Sequence, residues 1–168
     1  MKYIDPMSND QEKAYLRACN ANDVVEAQRL AALPAVNPGC VSFSGGSATF
    51  YAAQGGAIDA LRWLLADGAA AKLSAVDFGG ATPFIEAARN GHVEAMAFLH
   101  GAGADLHTRD TENGWSALTA AAVGGHAAAV QRLLALGLDP AAVDATGKTA
   151  LDWATLAEKG DVVALLAQ

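Results

Sequence analysis

The residues between Asp144 and Thr149 come close to the spacing of a ligand-binding motif in this chain of 168 residues. The run Gly147-Lys148-Thr149 ends like a phosphate-binding loop, in which backbone amides and a lysine hold phosphate groups. That motif also needs a glycine five residues before Gly147, where the chain has Ala142. The sequence therefore predicts a turn that leads into a helix here, and no phosphate site.

Other residues that could do chemistry stand alone. Asp77-Phe78-Gly79 resembles the magnesium-binding triplet of kinases, but no kinase catalytic loop accompanies it. His92 and His126 follow equivalent glycines in adjacent copies of one pattern, which predicts a separation of roughly 10 Å. Two zinc ligands must each lie about 2.1 Å from one ion, so this pair cannot share a metal. No acid, base and nucleophile converge, and we expect no catalytic residue, metal or cofactor and no enzyme activity.

The elements that carry these residues repeat along the chain at a spacing of about 33 residues. A full copy has an aspartate and a glycine, then a Thr/Ser start, an alanine pair, a glycine-histidine pair, a hydrophobic pair, and a closing glycine and aspartate. Residues 77–105 and 110–139 contain the fullest copies, and a third runs from Asp144 to Asp161. One such unit cannot bury its own apolar face, so the pattern predicts stacked repeats.

These residues resemble the ankyrin repeat, whose core pattern is T-P-L-H-x-A-A-x-x-G-H, over nearly the whole chain. The resemblance implies an all-α fold, a solenoid of helix-turn-helix units with β-hairpin-like fingers. It also implies a single domain over residues 1–168. The expected units are an N-terminal cap at about 8–37, three repeats at 38–76, 77–109 and 110–143, and a C-terminal cap at 144–168.

The first two units depart most from the pattern. The first lacks the Thr-Pro-Leu start and predicts helices over residues 11–19 and 24–33, with Val25 among the inward-facing side chains. The second has Thr49 where a buried leucine is expected. Residues 38–46 are rich in glycine and serine, which predicts an irregular or mobile finger.

Most patterned residues have a structural role. Thr82 is suited to cap a helix and Pro83 to begin it. Alanine pairs such as Ala87-Ala88 let helix axes approach within roughly 8–10 Å, and Gly91 permits a left-handed turn between helices. The finger turns are expected to be held by the carboxylates of Asp77, Asp110 and Asp144. A function must therefore depend on positions outside the pattern.

The resemblance implies a binding surface made of the finger tips and the exposed side of each first helix. Phe78 and Trp115 are the main candidates, since large aromatic residues are unexpected at exposed tips and are common interface hot spots. The alternative is that Trp115 folds onto the neighbouring finger and Trp153 belongs to the core. The candidate partner-binding residues are Phe78, Trp115, Glu112, Asn113, Tyr51, Gln54, Glu86, Arg89, Asn90, Lys148 and Trp153. The other positions carried over are Phe43, Ser44, Gly79, Ala81, Thr111, Val123, Ala145 and Thr146.

Composition narrows the partner and the compartment. The net charge of −7 argues against nucleic acid, whose phosphates need Lys and Arg, and suits a basic protein surface. No apolar run is long enough to span a bilayer, and the N-terminus does not read as a secretory signal. Cys19 and Cys40 are expected to be free thiols in a reducing cytoplasm. Abundant alanine and glycine favour a bacterial source, and we expect a monomer when unbound.

Two functions fit this sequence. The first is a non-catalytic protein-protein interaction module that acts as an adaptor or regulator of a partner. The alternative is an inhibitor or immunity protein that neutralises a cognate toxin or enzyme, which would suit a small acidic chain. A neighbouring gene that encodes a toxin or enzyme would favour the alternative.

Overall fold

The computed structural model describes residues 9–66 and 73–167, and ten helices lie within those residues as five consecutive pairs. The pairs are α1 (Asp10–Asn20) and α2 (Val24–Ala31), α3 (Ala48–Gln54) and α4 (Ile58–Leu65), α5 (Pro83–Arg89) and α6 (Val93–Gly101), α7 (Ala117–Gly124) and α8 (Ala127–Ala135), and α9 (Ala150–Leu156) and α10 (Gly160–Leu166).

The helices stack in two rows. The first helices α1, α3, α5, α7 and α9 each contact the next in that order, and the second helices α2, α4, α6, α8 and α10 form the other row. In the described part of the chain, β pairing is limited to two isolated bridges, Val41 with Ser47 and Arg109 with Ser116. The all-α repeat fold expected from the sequence is confirmed.

Four first helices begin with the same device. A serine or threonine hydroxyl accepts a hydrogen bond from the backbone N–H three residues later, at 3.2–3.3 Å. Such a cap satisfies one of the N–H groups that a helix start leaves without a partner, and is worth about 1 kcal/mol. Pro83 follows the predicted cap Thr82 at the start of α5, as expected. The capping residues are Ser47, Thr82, Ser116 and Thr149.

Alanine pairs occupy the seam between neighbouring first helices. Ala52-Ala53, Ala87-Ala88 and Ala121-Ala122 have no exposed surface. Larger apolar side chains fill the space between the two rows, among them the fully buried Leu61 and Leu99. Because interiors are packed at crystal-like density, this seam has no room for a larger residue.

The turn between α5 and α6 shows how successive units are joined. Gly91 has a φ of +74°, and a side chain there would lie 2.6 Å from the ring of His126 in the next unit. The ring nitrogen Nε2 of His92 lies 2.8 Å from the carbonyl oxygen of Gln54 in the preceding unit. His92 therefore stabilises a contact between units.

One local expectation was wrong. Val25 is 79% exposed, because α2 buries Ala27 and Leu30 and a residue two positions before Ala27 lies on the opposite side of a helix. The glycine-rich segment before α3 contains an irregular turn, in which the Ser42 N–H donates to the Gly46 carbonyl and the Gly45 N–H donates to the Ser42 carbonyl, both at 2.9 Å. The Ser42 hydroxyl also accepts from the Gly46 N–H at 3.0 Å.

Candidate functional site

Four short loops project before the first helices, and a polar side chain within each loop accepts backbone hydrogen bonds from it; this side chain is buried in three of the loops and half-buried in the one that contains Asp77. We name them finger A (residues 41–47), finger B (77–81), finger C (110–115) and finger D (144–148). Asp77 Oδ1 accepts from the Ala81 N–H at 2.8 Å. Asp110 Oδ1 accepts from the Asn113 N–H, also at 2.8 Å. The equivalent anchors are Ser42 in finger A and Asp144 in finger D.

The fingers are also bonded to one another through their backbones. The Phe78 N–H donates to the Ser44 carbonyl at 2.8 Å, and the Thr111 N–H donates to the Gly79 carbonyl at 2.8 Å. The Ala145 N–H donates to the Asn113 carbonyl at 3.2 Å. The four fingers therefore form one continuous edge whose tips are held in fixed positions.

Two aromatic side chains on this edge are left in solvent. Phe43 in finger A is 82% exposed and Phe78 in finger B is 74% exposed. Gly45 has a φ of +84°, and a side chain there would lie within 2.7 Å of the Phe78 ring. The backbone of both tips is thus constrained although the rings gain little from burial in the free protein.

A second aromatic cluster joins fingers C and D to α9. The rings of Trp115 and Trp153 make an edge-to-face contact, with centroids 5.2 Å apart and planes at 64°. The Trp153 indole N–H donates to Asp144 Oδ2 at 2.6 Å, and Lys148 Nζ lies 5.2 Å from the Trp153 ring centroid. Both tryptophan side chains are half-buried, and the indole N–H of Trp115 has no hydrogen-bond partner.

The carboxylate of Asp144 holds this cluster together. Burial alone would raise its pKa, but hydrogen bonds from the Trp153 indole, the Thr146 hydroxyl and the Lys148 and Thr146 backbone amides outweigh burial. They hold the pKa of Asp144 well below its ordinary value. Asp144 therefore stays ionised down to strongly acidic pH in the folded protein.

A row of polar side chains crosses the first helices behind the fingers. Asn20 on α1 donates to the Tyr51 carbonyl at 3.0 Å. The Gln54 side-chain amide on α3 donates to Glu86 Oε1 at 3.0 Å, and Asn90 donates to the same oxygen at 3.1 Å. The row therefore links three consecutive units through side chains that the repeat pattern does not specify.

Glu86 is the centre of that row, and only 4% of it is exposed. Its Oε2 atom has no hydrogen-bond partner and lies 3.7 Å from Arg89 Nη1. Arg89 Nη2 lies 3.6 Å from Asp110 Oδ2, so one half-exposed arginine spans two buried carboxylates. The carboxylates of Glu86 and Asp110 are thus engaged in contacts within the fold.

A groove opens at the N-terminal end of the same face. We name it the N-terminal groove: it has a volume of about 540 Å³ and lies between α1, finger A and α3. Leu16 and Asn20 contribute to its lining, together with Lys13, Arg17, Phe43 and Tyr51. It combines an apolar surface with two cations.

The described residues bring together few groups that could do catalysis. Within residues 9–66 and 73–167, no three His, Cys, Asp or Glu side chains lie close enough to hold a metal ion. Cys19 and Cys40 are free and buried. Burial is the main cause that raises the pKa of the Cys19 thiol to about 12 and that of Cys40 to about 11, which leaves both unreactive at neutral pH.

Comparison with known protein families agrees with this architecture. A family model of ankyrin repeats, built on three copies, matches residues 15–110 and again residues 84–168. The chain belongs to the ankyrin-repeat family. No curated protein matches it significantly. Ankyrin repeats are in general protein–protein interaction modules, and no helix in the described part of this chain is long and apolar enough to cross a membrane.

Within this ankyrin stack, the candidate residues named from the sequence fall into four groups. Phe78 and Glu112 are exposed on the fingers. Trp115, Lys148 and Trp153 form the cluster on fingers C and D and α9. Glu86 was expected on the exposed side of its helix, but it is buried because the side chains of Gln54 and Asn90 donate to it. Half-buried candidates are Tyr51, Gln54, Arg89, Asn90 and Asn113.

Sequence reasoning missed the cations of the N-terminal groove. Lys13 and Arg17 lie four residues apart on α1 and therefore share one side of it. That spacing was a usable signal, but the first ankyrin unit lacks the Thr-Pro-Leu start from which surface positions were carried over. Phe43 was carried over as a finger position, without its relation to these two cations.

Proposed function

We propose that this ankyrin protein is a non-catalytic binding module that acts as an adaptor or regulator of a partner protein. The observation that carries the proposal is Phe78, a phenylalanine left 74% exposed on a finger tip whose backbone is fixed by its bond to Ser44. Burying such a ring removes apolar area from water and is commonly worth about 2 kcal/mol or more to a complex. The fixed backbone lowers the ordering cost of binding.

A partner with a basic surface fits the charges near Phe78. The chain carries a net charge of −7. Glu112 on finger C is exposed, and its carboxylate reaches to 3.3 Å from the position that a side chain on Gly79 would take, beside Phe78. An aromatic ring next to a carboxylate suits an arginine or lysine flanked by apolar residues. We further propose that Trp115, Trp153 and Lys148 extend the same surface, and that Arg89, Asn90, Asn113, Tyr51 and Gln54 line it.

The sequence and its charge also support a proposed location, source and oligomeric state. Two free cysteines favour a cytoplasmic location, and the alanine- and glycine-rich composition favours a bacterial source. The acidic net charge argues against nucleic-acid binding. We propose a monomer in the absence of the partner and no enzyme activity.

An inhibitor or immunity role is the second candidate. The net charge of −7 and the exposed carboxylate of Glu112 favour it, because the cleft of a nucleic-acid-degrading or otherwise basic enzyme would attract an acidic protein. This role predicts that the purified chain abolishes the activity of its partner at equimolar ratio. An adaptor would leave that activity intact.

Affinity purification from the native host, followed by mass spectrometry, would identify the partner. The purified partner is then titrated against wild type, Phe78→Ala and the control Val25→Ala, which truncates an equally exposed apolar residue on α2. We expect Phe78→Ala to weaken binding at least tenfold and Val25→Ala to leave it unchanged. Equal affinities of all three proteins would refute the assignment of finger B to the interface.

A further inference from the structure

The N-terminal groove has a charge opposite to that of the chain. Two cations line it, Lys13 and Arg17, and none of the described side chains that line it is acidic. The other three cavities described for this chain carry either no charge or acids and bases together. A positive groove in a protein with a net charge of −7 is a local feature that the composition does not predict.

The two cations differ in how far they are already engaged. Lys13 pairs with Asp10 at 3.3 Å, but both side chains are substantially exposed, so this pair is weak. Arg17 is exposed and has no acidic side chain within ion-pair distance among the described residues. A guanidinium without a partner can receive a carboxylate through two parallel hydrogen bonds.

The backbone on both sides of the groove is held in place before binding. Phe43 is 82% exposed, yet its backbone is held by the Ser42–Gly46 turn and by the Ser42 hydroxyl. The Tyr51 ring packs edge-to-face on Phe50, with centroids 5.9 Å apart. The Tyr51 backbone carbonyl accepts from Asn20, so only the exposed Phe43 side chain needs to become ordered on binding.

We infer that the N-terminal groove receives a short partner segment in which an aspartate or glutamate lies next to an aromatic or aliphatic residue. The carboxylate pairs with Arg17, assisted by Lys13, and the apolar residue packs between Phe43 and Tyr51. This inference rests on the proposed protein-binding function and adds a second contact of opposite charge to the one at Phe78. A partner with a basic surface around Phe78 can present such a segment to the groove.

A random 12-residue peptide library displayed on phage tests the inference without knowledge of the partner. The full-length protein is the bait, and enriched peptides are synthesised with a fluorescent label and titrated by anisotropy. We expect an acidic residue within two positions of an aromatic or aliphatic one to recur among them. Replacing that acid by its amide should weaken binding about tenfold or more.

Two charge reversals provide the matched comparison. Arg17→Glu alters the groove, and Arg132→Glu makes the same change in net charge on the exposed surface of α8. We expect Arg17→Glu to weaken the selected peptides at least tenfold, and Arg132→Glu to change their affinity less than twofold. Circular dichroism verifies that both variants keep the helical content of wild type.

Three results would overturn the inference. The first is a selection without binding peptides, or one whose peptides lack acidic residues. The second is an equal effect of Arg17→Glu and Arg132→Glu. The third is a concentration-dependent dimer of the wild type in sedimentation velocity that Arg17→Glu abolishes, which would make a second copy of this chain the occupant. None of these removes the proposed binding function, and the assignment of finger B to the interface is refuted separately if Phe78→Ala binds the purified partner as well as wild type does.

Discussion

Burial rather than distance should decide which carboxylate matters most for the stability of this stack. Glu86 is 4% exposed and its closest cation, Arg89, is 3.7 Å away. Glu26 is far more exposed, although its bond to Arg29 is only 2.6 Å long. The same substitution, glutamate to glutamine, applied at each position separates the two effects. We expect Glu86→Gln to destabilise the protein and Glu26→Gln to leave its stability within experimental error.

The magnitude for Glu86→Gln follows from its contacts. Two amide donors, from Gln54 and Asn90, bond to the carboxylate. A hydrogen bond to a charged group contributes roughly 1 kcal/mol more than one between neutral groups, which gives about 2 kcal/mol for two bonds. A neutral amide costs less to bury than a carboxylate, and this offsets part of the loss. The free energy of unfolding should therefore fall by about 1–2 kcal/mol.

Urea unfolding followed by circular dichroism at 222 nm measures this difference. With a urea dependence of roughly 2 kcal/mol per molar, the midpoint of Glu86→Gln should fall by about 0.5–1 M with an unchanged slope. Glu86→Ala should lose more, because it leaves the Gln54 amide without its acceptor and leaves Asn90 with only its bond to the backbone carbonyl of residue 86. A midpoint for Glu86→Gln that equals that of Glu26→Gln would refute the argument, since it would mean that the buried row contributes no more than a surface pair.

Three further predictions follow from the packing and the pKa shifts. Ala88→Leu should overpack the first-helix seam, where Ala88 has no exposed surface, and cost about 1–3 kcal/mol in the same urea assay; an unchanged midpoint would contradict it. Cys19 and Cys40 should react with a thiol reagent at pH 8 only as fast as the protein unfolds, because burial raises the pKa of both thiols; rapid labelling of native protein would show that they are accessible. The folded-state pKa of Asp144 is depressed, so the stability advantage of wild type over Asp144→Asn should be complete above the ordinary carboxyl pKa of about 3.9. That advantage should shrink as the pH falls further, and a gap that stays constant from pH 7 to pH 2 would refute it.

The repeat stack could be predicted because its signals are local and recur. Thr82 before Pro83, the pair Ala87-Ala88 and Gly91 each impose a specific backbone or packing demand that only a few residue types meet. Similar demands recur in the following units, so a wrong boundary predicted for one unit does not shift the boundaries predicted for the others. Val25 was misplaced because the first unit has no such marker, and a single hydrophobic residue does not define a helix face.

The binding surface was less predictable, since it depends on contacts between side chains of different units. Trp115 and Trp153 are separated along the chain by α7, α8 and finger D, and nothing in their spacing indicates that the centroids of their rings lie 5.2 Å apart. Glu86 occupies a position that is exposed in the expected pattern, and its burial depends on Gln54 and Asn90 reaching it from both sides. Pairings of this kind become visible only when the stack brings consecutive units into register.

Net charge is therefore an incomplete guide to what this surface binds. Of the acids on the first-helix face, Glu86, Asp110 and Asp144 are each less than 8% exposed and are engaged within the fold. Among the described residues, Glu112 is an exposed acid on the finger edge, whereas Arg17 is an exposed cation in the groove with no acidic side chain within ion-pair distance. Buried carboxylates that are engaged within the fold contribute to the count of charges but not to short-range recognition. The overall charge governs the long-range electrostatic attraction of a partner. Salt screens this attraction beyond a Debye length of about 8 Å at physiological ionic strength. The residue-level contacts are set by which charges the fold leaves free, and that is the reason why one acidic chain can offer both an acidic and a basic contact.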